Sequence, residues 1–124
     1  ITTGNTTIDF TAGYVSLIGG VRDNVFTLDG TFTGAVTLDG GVGNDTYNIT
    51  LPASTNTTNQ VTVSDTGNTS RDTIIAIKTG GTALTQTTTS APNTPLVGYI
   101  VYTGGTSTSK PRINFSGIEF VTLQ

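Results

Sequence analysis

The chain has 124 residues, which is enough for one domain and too few for two independent hydrophobic cores. Only 34% of the residues are apolar and 10% are charged, whereas 29 are threonine and 16 are glycine, a composition that favours β-strands and turns over helices. The absence of His and Cys excludes imidazole and thiol nucleophiles, zinc sites and disulfides, and a net charge of −3 argues against nucleic-acid binding.

Apolar and polar side chains alternate along almost the whole chain, a period of two that predicts β-strands. No apolar run approaches the roughly 20 residues of a membrane span, so we expect no membrane insertion. The run Thr82–Pro95 carries two prolines and is predicted to be a surface excursion, not a central strand. In chain order the predicted strands are Thr7–Phe10, Tyr14–Ile18, Asn24–Leu28, Ala35–Leu38, Thr46–Leu51, Gln60–Val63, Thr73–Lys78, Leu96–Tyr102, Arg112–Phe115 and Ile118–Leu123.

Internal similarity indicates how these strands are arranged. Three segments open with Asn or Asp and then alternate, so that Phe26, Tyr47 and Ile74 are equivalent and recur after 21 and then 27 residues. Unequal spacing is typical of a parallel β-solenoid, in which strands stack while surface loops vary in length. We therefore expect an all-β fold, residues 1–124 forming one β-roll or β-helix-like repeat unit. An antiparallel β-sandwich stays open as the alternative, because short strands with Gly-rich turns fit it too.

The two ends of the chain also resemble each other. Ile8–Thr11 followed by Val15–Leu17 is similar to Ile113–Ser116 followed by Val121–Leu123. If the last strands repeat the first, the simplest cover for the exposed strand edges is another copy. This similarity predicts one unit of a tandem array or filament, with neighbouring repeats or other copies stacked head-to-tail as partners.

The segment Gly40–Asn48 fits the nonapeptide G-G-x-G-x-D-x-U-x at every fixed position. Here the sequence resembles the repeats-in-toxin (hemolysin-type calcium-binding) family and, more broadly, long bacterial surface proteins built from degenerate repeats of this kind. The resemblance covers residues 7–78 and 112–123. It implies a parallel β-roll and an extracellular or bacterial cell-surface location.

The resemblance also implies a calcium ion held between stacked turns by glycine carbonyls and aspartate carboxylates. The turn preceding the motif departs from the pattern, because Arg22 replaces its third glycine and the neutral Asn24 stands where Asp is expected. A guanidinium repels Ca²⁺, so the alternative is that no cofactor binds and that Arg22 pairs with an aspartate of the same site, Asp45 or Asp23. The implied metal ligands are Asp23, Gly41, Gly43 and Asp45.

The acidic residues mostly occupy turns, where Asp commonly caps its own backbone, so we predict that the protein is not an enzyme. A Thr-rich solenoid gains stability from backbone ladders and stacked side chains, which suits a structural role. We expect an extracellular structural or adhesive module that stacks into a fibre and could contact surface glycans. The alternatives are a calcium-dependent adhesin or carbohydrate-binding module and, less favoured, a polysaccharide-active β-helix enzyme.

Overall fold

The computed structural model describes residues 13–32, 34–67 and 71–124, and the predicted strand Thr7–Phe10 lies outside them. The described residues form ten strands and no helix, so none of them belongs to a helix that could cross a membrane. The strands are β1 (Tyr14–Ile18), β2 (Val25–Leu28), β3 (Ala35–Asp39), β4 (Thr46–Thr50), β5 (Gln60–Ser64), β6 (Thr73–Ile77), β7 (Leu84–Thr88), β8 (Leu96–Tyr102), β9 (Arg112–Ile118) and β10 (Phe120–Leu123).

The strands form two sheets, and the chain passes from one sheet to the other at every step from β1 to β7 and again from β9 to β10. One sheet has six strands in the order β1-β3-β5-β9-β8-β7. The other has four strands in the order β10-β6-β4-β2. Among the described strands, six pairs are parallel, and only β7 with β8 and β8 with β9 are antiparallel.

The repeated pattern in the sequence corresponds to the register of the four-stranded sheet. Phe26 pairs with Tyr47, and Tyr47 pairs with Ile74, all in parallel strands. Val36 and Val61 are likewise register partners in parallel strands of the six-stranded sheet. The fold is therefore all-β with parallel sheets, and within the described part of the chain antiparallel pairing is confined to β7, β8 and β9.

Both sheets bury one face against a shared core. Each strand from β3 to β6 alternates half-buried and buried side chains, as its period of two predicts. The rings of the register partners Phe26 and Tyr47 stack on each other, with centroids 5.3 Å apart and planes 6° from parallel. Apolar residues of both sheets form one cluster that includes Val36, Leu38, Ile49, Val63, Ile113 and Phe115.

The strand β7 lies inside Thr82–Pro95, the run that was predicted to be an excursion. It forms a hairpin with β8, which pairs with β9, so β7 is an edge strand of the six-stranded sheet. The buried Tyr102 anchors the hairpin, because its hydroxyl donates to the Pro52 carbonyl at 2.9 Å and accepts from the Thr79 N–H at 3.0 Å. Apolar and polar residues do not alternate in β7, because threonine fills most of the strand.

The similarity between the two ends of the chain does not correspond to equivalent positions in the fold. Val15–Leu17 lies in β1 of the six-stranded sheet, whereas Val121–Leu123 lies in β10 of the four-stranded sheet. The other early segment, Ile8–Thr11, is outside the described residues. Val121–Leu123 therefore does not occupy the position in its sheet that Val15–Leu17 occupies, and the prediction that the chain is one unit of an array stays a prediction.

Candidate functional site

The turns that lead from the six-stranded sheet into the four-stranded sheet lie side by side and bond to one another through the backbone. The N–H of Val42 donates to the Gly20 carbonyl at 3.0 Å, and the N–H of Thr73 donates to the Asp45 carbonyl at 2.9 Å. The Gly-rich motif forms the second of these turns. Polar side chains at the same end of successive turns therefore lie next to one another, because the strands that flank the turns are paired in register.

The glycines of the motif allow this close stacking. Gly41 has φ +83° and Gly43 has φ +137°, values that favour glycine. A Cβ on Gly41 would lie 2.5 Å from the Gly20 carbonyl oxygen, and one on Gly43 would lie 2.6 Å from the carbonyl carbon of Arg22. Both glycines are thus required by contact between turns, independently of any bound ion.

The two aspartates of the predicted calcium site have different surroundings. Asp23 is exposed and its Oδ1 accepts the N–H of Asn44 at 2.8 Å, whereas Asp45 is fully buried. Arg22 is also exposed, and within the described part of the chain no ion pair joins it to Asp23 or Asp45. The alternative in which Arg22 replaces the metal by pairing with one of these aspartates is therefore not found.

A ladder of polar side chains runs through the same position of successive turns. The N–H of Asn24 donates to Asp45 Oδ1 at 2.6 Å, the N–H of Asp45 donates to Asp72 Oδ1 at 2.8 Å, and the N–H of Asp72 donates to Glu119 Oε2 at 2.8 Å. Each acidic side chain thus accepts the N–H of the residue directly before the adjacent strand of the four-stranded sheet. We name Asn24, Asp45, Asp72 and Glu119 the turn ladder.

Asp65 approaches the turn ladder from the end of β5. Its Oδ2 accepts the Tyr47 hydroxyl at 2.5 Å, and that hydroxyl accepts the Gly40 N–H at 2.6 Å. Its Oδ1 accepts the N–H of Gly67 at 2.9 Å. The carboxylate is therefore fixed by two donors, one of them the buried phenol.

Asp45, Asp65 and Asp72 are all buried, and one carboxylate oxygen from each lies within 4.8 Å of the other two. We name these three residues the buried carboxylate cluster. Burial raises the pKa of Asp45 and of Asp65, with further upward contributions from the neighbouring carboxylates. Burial also raises the pKa of Tyr47 far above its ordinary value, so its hydroxyl remains a donor to Asp65.

These pKa directions determine how the site affects stability. An acid whose pKa is higher in the folded than in the unfolded protein costs no stability below about pH 4, and it costs stability as pH rises through the folded-state pKa. Asp45, Asp65 and Glu119, whose pKa is also raised by burial, therefore destabilise the fold as pH rises. Asp29 acts in the opposite direction, because hydrogen bonds from Thr31 lower its pKa. Its ionised form therefore stabilises the fold above about pH 4, and this stabilisation is lost as pH falls through the folded-state pKa.

Sequence reasoning identified Asp45 but not its partners in the cluster. Asp72 carried a signal, because it occupies the position of Asp45 in the repeated series. Asp65 does not occupy the position of Asp45 in a repeated segment, because it follows β5, a strand of the six-stranded sheet, and reaches the cluster from there. Its role depends on the pairing of β3 with β5, which places it beside the first glycines of the motif.

A separate cleft lies beside the hairpin and is lined by residues that include Ser54, Tyr102 and Lys110. No Asp or Glu is among its lining residues, so this cleft does not hold the pair of carboxylates that glycoside hydrolysis uses.

Comparisons with protein-family models, curated proteins and solved structures found no match.

Proposed function

We propose that this chain is a structural module, a parallel β-solenoid of an extracellular or bacterial surface protein, which joins neighbouring repeats or other copies through its strand edges. The observation that carries the proposal is the set of six parallel strand pairs, with strands alternating between two sheets. Such a stack derives stability from contacts between neighbouring coils, and so it gains from further coils. The extracellular setting rests on the resemblance described from the sequence.

The two ends of the stack offer different edges. At one end both β1 and β2 are edge strands among the described residues. At the other end β10 is an edge strand, but β8 covers the edge of β9, and the hairpin extends that sheet by two strands, or about 10 Å. A copy stacked head-to-tail on β10 would meet the hairpin. We therefore place the principal contact at β1 and β2, and we name this the open end.

Exposed apolar side chains support this choice. Tyr14, Ile18, Val21 and Val25 at the open end are 62% to 79% exposed. Inward-facing Phe26 is only half-buried, although its register partner Tyr47 is fully buried. A neighbour at the open end would cover these side chains and pair with the outer backbone groups of β1 and β2, which no other described strand contacts.

A proline at the edge of β2 tests the proposal. The Asn24 carbonyl accepts the Thr46 N–H, so strand alternation directs the N–H of Thr27 away from β4. Thr27→Pro should therefore block an added strand without removing a hydrogen bond to β4. We expect electron microscopy and light scattering to show assemblies of the native chain at rising concentration, and to show monomers of Thr27→Pro.

The matched control is Thr27→Ser, which retains the N–H and should assemble like the native chain. Fibres would indicate that the β10 end also takes part, whereas discrete dimers would indicate contact at the open end alone. A native chain that stays monomeric at every concentration would contradict self-assembly, and equal assembly of the proline variant would contradict the role of β2.

A further inference from the structure

We propose that the cleft beside the β7–β8 hairpin, which we name the hairpin cleft, binds a single acidic sugar, a six-membered ring that carries one carboxylate. The cleft has a volume of about 260 Å³. It lies at the end of β8, four strands from β1 in the order of the six-stranded sheet. The inference therefore does not depend on the proposed stacking at the open end.

The lining of the hairpin cleft combines hydroxyl groups with one positive charge. Four lining residues carry an aliphatic hydroxyl and one is a lysine: Ser54, Thr82, Thr103, Ser109 and Lys110. No lining residue is acidic, although the chain as a whole has a net charge of −3. Hydroxyls both donate and accept hydrogen bonds, as the hydroxyls of a sugar do, and an ammonium group is the complement of a carboxylate.

Three of these side chains are available to a ligand. Within the described residues, the side chains of Ser54, Thr82 and Lys110 form no hydrogen bond or ion pair with the protein. They come from three segments, the β4–β5 connection, the residues before β7 and the β8–β9 connection. Polar groups that converge from three segments on one cleft can contact different atoms of the same ring.

A single buried phenol joins the walls of the hairpin cleft. The Tyr102 hydroxyl donates to the Pro52 carbonyl at 2.9 Å and accepts the Thr79 N–H at 3.0 Å. These two bonds tie the segments that carry Ser54 and Thr82 to the end of β8. Because the walls are fixed before a ligand arrives, binding has a lower entropic cost.

Two further hydroxyls are positioned by backbone groups. Thr103 Oγ1 donates to the Ala83 carbonyl at 3.1 Å, and Ser109 Oγ accepts the Thr106 N–H at 2.8 Å. Each oxygen retains hydrogen-bonding capacity, because a hydroxyl has one proton and two lone pairs. The cleft therefore offers positioned hydroxyls beside the lysine.

The charge and size of the hairpin cleft favour an acidic sugar over other anions. One ammonium group balances one carboxylate, whereas phosphate sites commonly use arginine forks or the N–H groups of a helix end. The volume is slightly below the roughly 300–1,000 Å³ of sites for drug-sized ligands, which suits one ring better than a chain of rings. Because Lys110 is exposed, water weakens its ion pair, and we expect a Kd on the order of 1 mM.

The test is NMR titration of the isotope-labelled native chain with methyl glucuronide and, separately, with methyl glucoside, which differs only in lacking the carboxylate. We expect saturable shifts of the amide signals around the hairpin cleft, with a Kd about fivefold higher for the glucoside. No saturable shift at the cleft up to the solubility of the glucuronide would overturn the proposal, and so would an equal Kd for the two sugars. Sulfate that binds as tightly at equal ionic strength would indicate an unselective anion site and would also overturn it.

Matched variants locate the sugar. Lys110→Gln should raise the Kd of the glucuronide about fivefold and leave that of the glucoside unchanged. Lys78→Gln is the control, because it removes the same charge from another exposed lysine outside the cleft and should bind like the native chain. Ser54→Ala should weaken the binding of both sugars. Equal losses in Lys110→Gln and Lys78→Gln would show that net charge attracts the sugar, and the site at the hairpin cleft would be wrong.

Discussion

Replacing Gly40 by alanine should lower the free energy of unfolding by about 3 kcal/mol or more. A Cβ on Gly40 would lie 2.3 Å from Asp45 Oδ2 and 2.4 Å from Asp45 Cγ. Asp45 has no room to move without cost, because it is fully buried and accepts the Asn24 N–H. Chemical denaturation monitored by circular dichroism measures the change.

The matched control for this substitution is Gly20→Ala, in the neighbouring turn. A Cβ on Gly20 meets no atom within 4 Å, so this variant should unfold within about 0.5 kcal/mol of the native chain. Similar losses in both variants would show that the turn requires glycine for a general reason. In that case the packing of Gly40 against Asp45 would not explain the motif.

Replacing Tyr47 by phenylalanine should lower the free energy of unfolding by about 2 to 3 kcal/mol. The hydroxyl is buried between the Gly40 N–H and Asp65 Oδ2, and its removal leaves both groups without that partner. The ring itself is kept, so stacking on Phe26 should be unchanged. The loss therefore reports on the hydrogen bonds and not on a cavity.

Tyr14→Phe is the matched control, because the Tyr14 side chain is 62% exposed and its hydroxyl lies 3.4 Å from Thr37 Oγ1. Its removal should change the free energy of unfolding by less than about 0.5 kcal/mol. If equilibrium unfolding gives equal values for the two variants, the Tyr47 hydroxyl does not support the turn. The link between the core and Asp65 would then have to be abandoned.

Most strands could be predicted from local sequence, because alternation of apolar and polar residues is a local property. Tyr14–Ile18 and Leu96–Tyr102 have the predicted bounds, and the other predicted strands within the described residues differ by one to three residues at an end. The strand β7 could not be predicted in this way, since its sequence, LTQTT, contains one apolar residue. Its stability comes from pairing with β8, which the local sequence does not specify.

The candidate site was predictable only where its residues belong to the repeat. Asp45 lies in the motif and Asp72 lies at the equivalent position of the next repeated segment. Asp65 and Tyr47 meet because β5 of one sheet ends where β4 of the other sheet begins, a consequence of register that no local pattern contains. The similarity of Val15–Leu17 to Val121–Leu123 was misleading for the opposite reason, since similar strands occur in different sheets.

The most direct test of the account is the direction and register of neighbouring strands, which cysteine pairs can measure because the chain has no cysteine of its own. Thr37 and Thr62 are register partners on β3 and β5, so Thr37→Cys with Thr62→Cys should form a disulfide on mild oxidation. Ala35→Cys with Ser64→Cys should not, because Ala35 pairs with Gln60 in the parallel register and its Cα atom lies about 14 Å from that of Ser64. An antiparallel pairing of Thr37 with Thr62 would instead place Ala35 opposite Ser64, so efficient cross-linking of both pairs, or none of the first, would contradict parallel, in-register stacking.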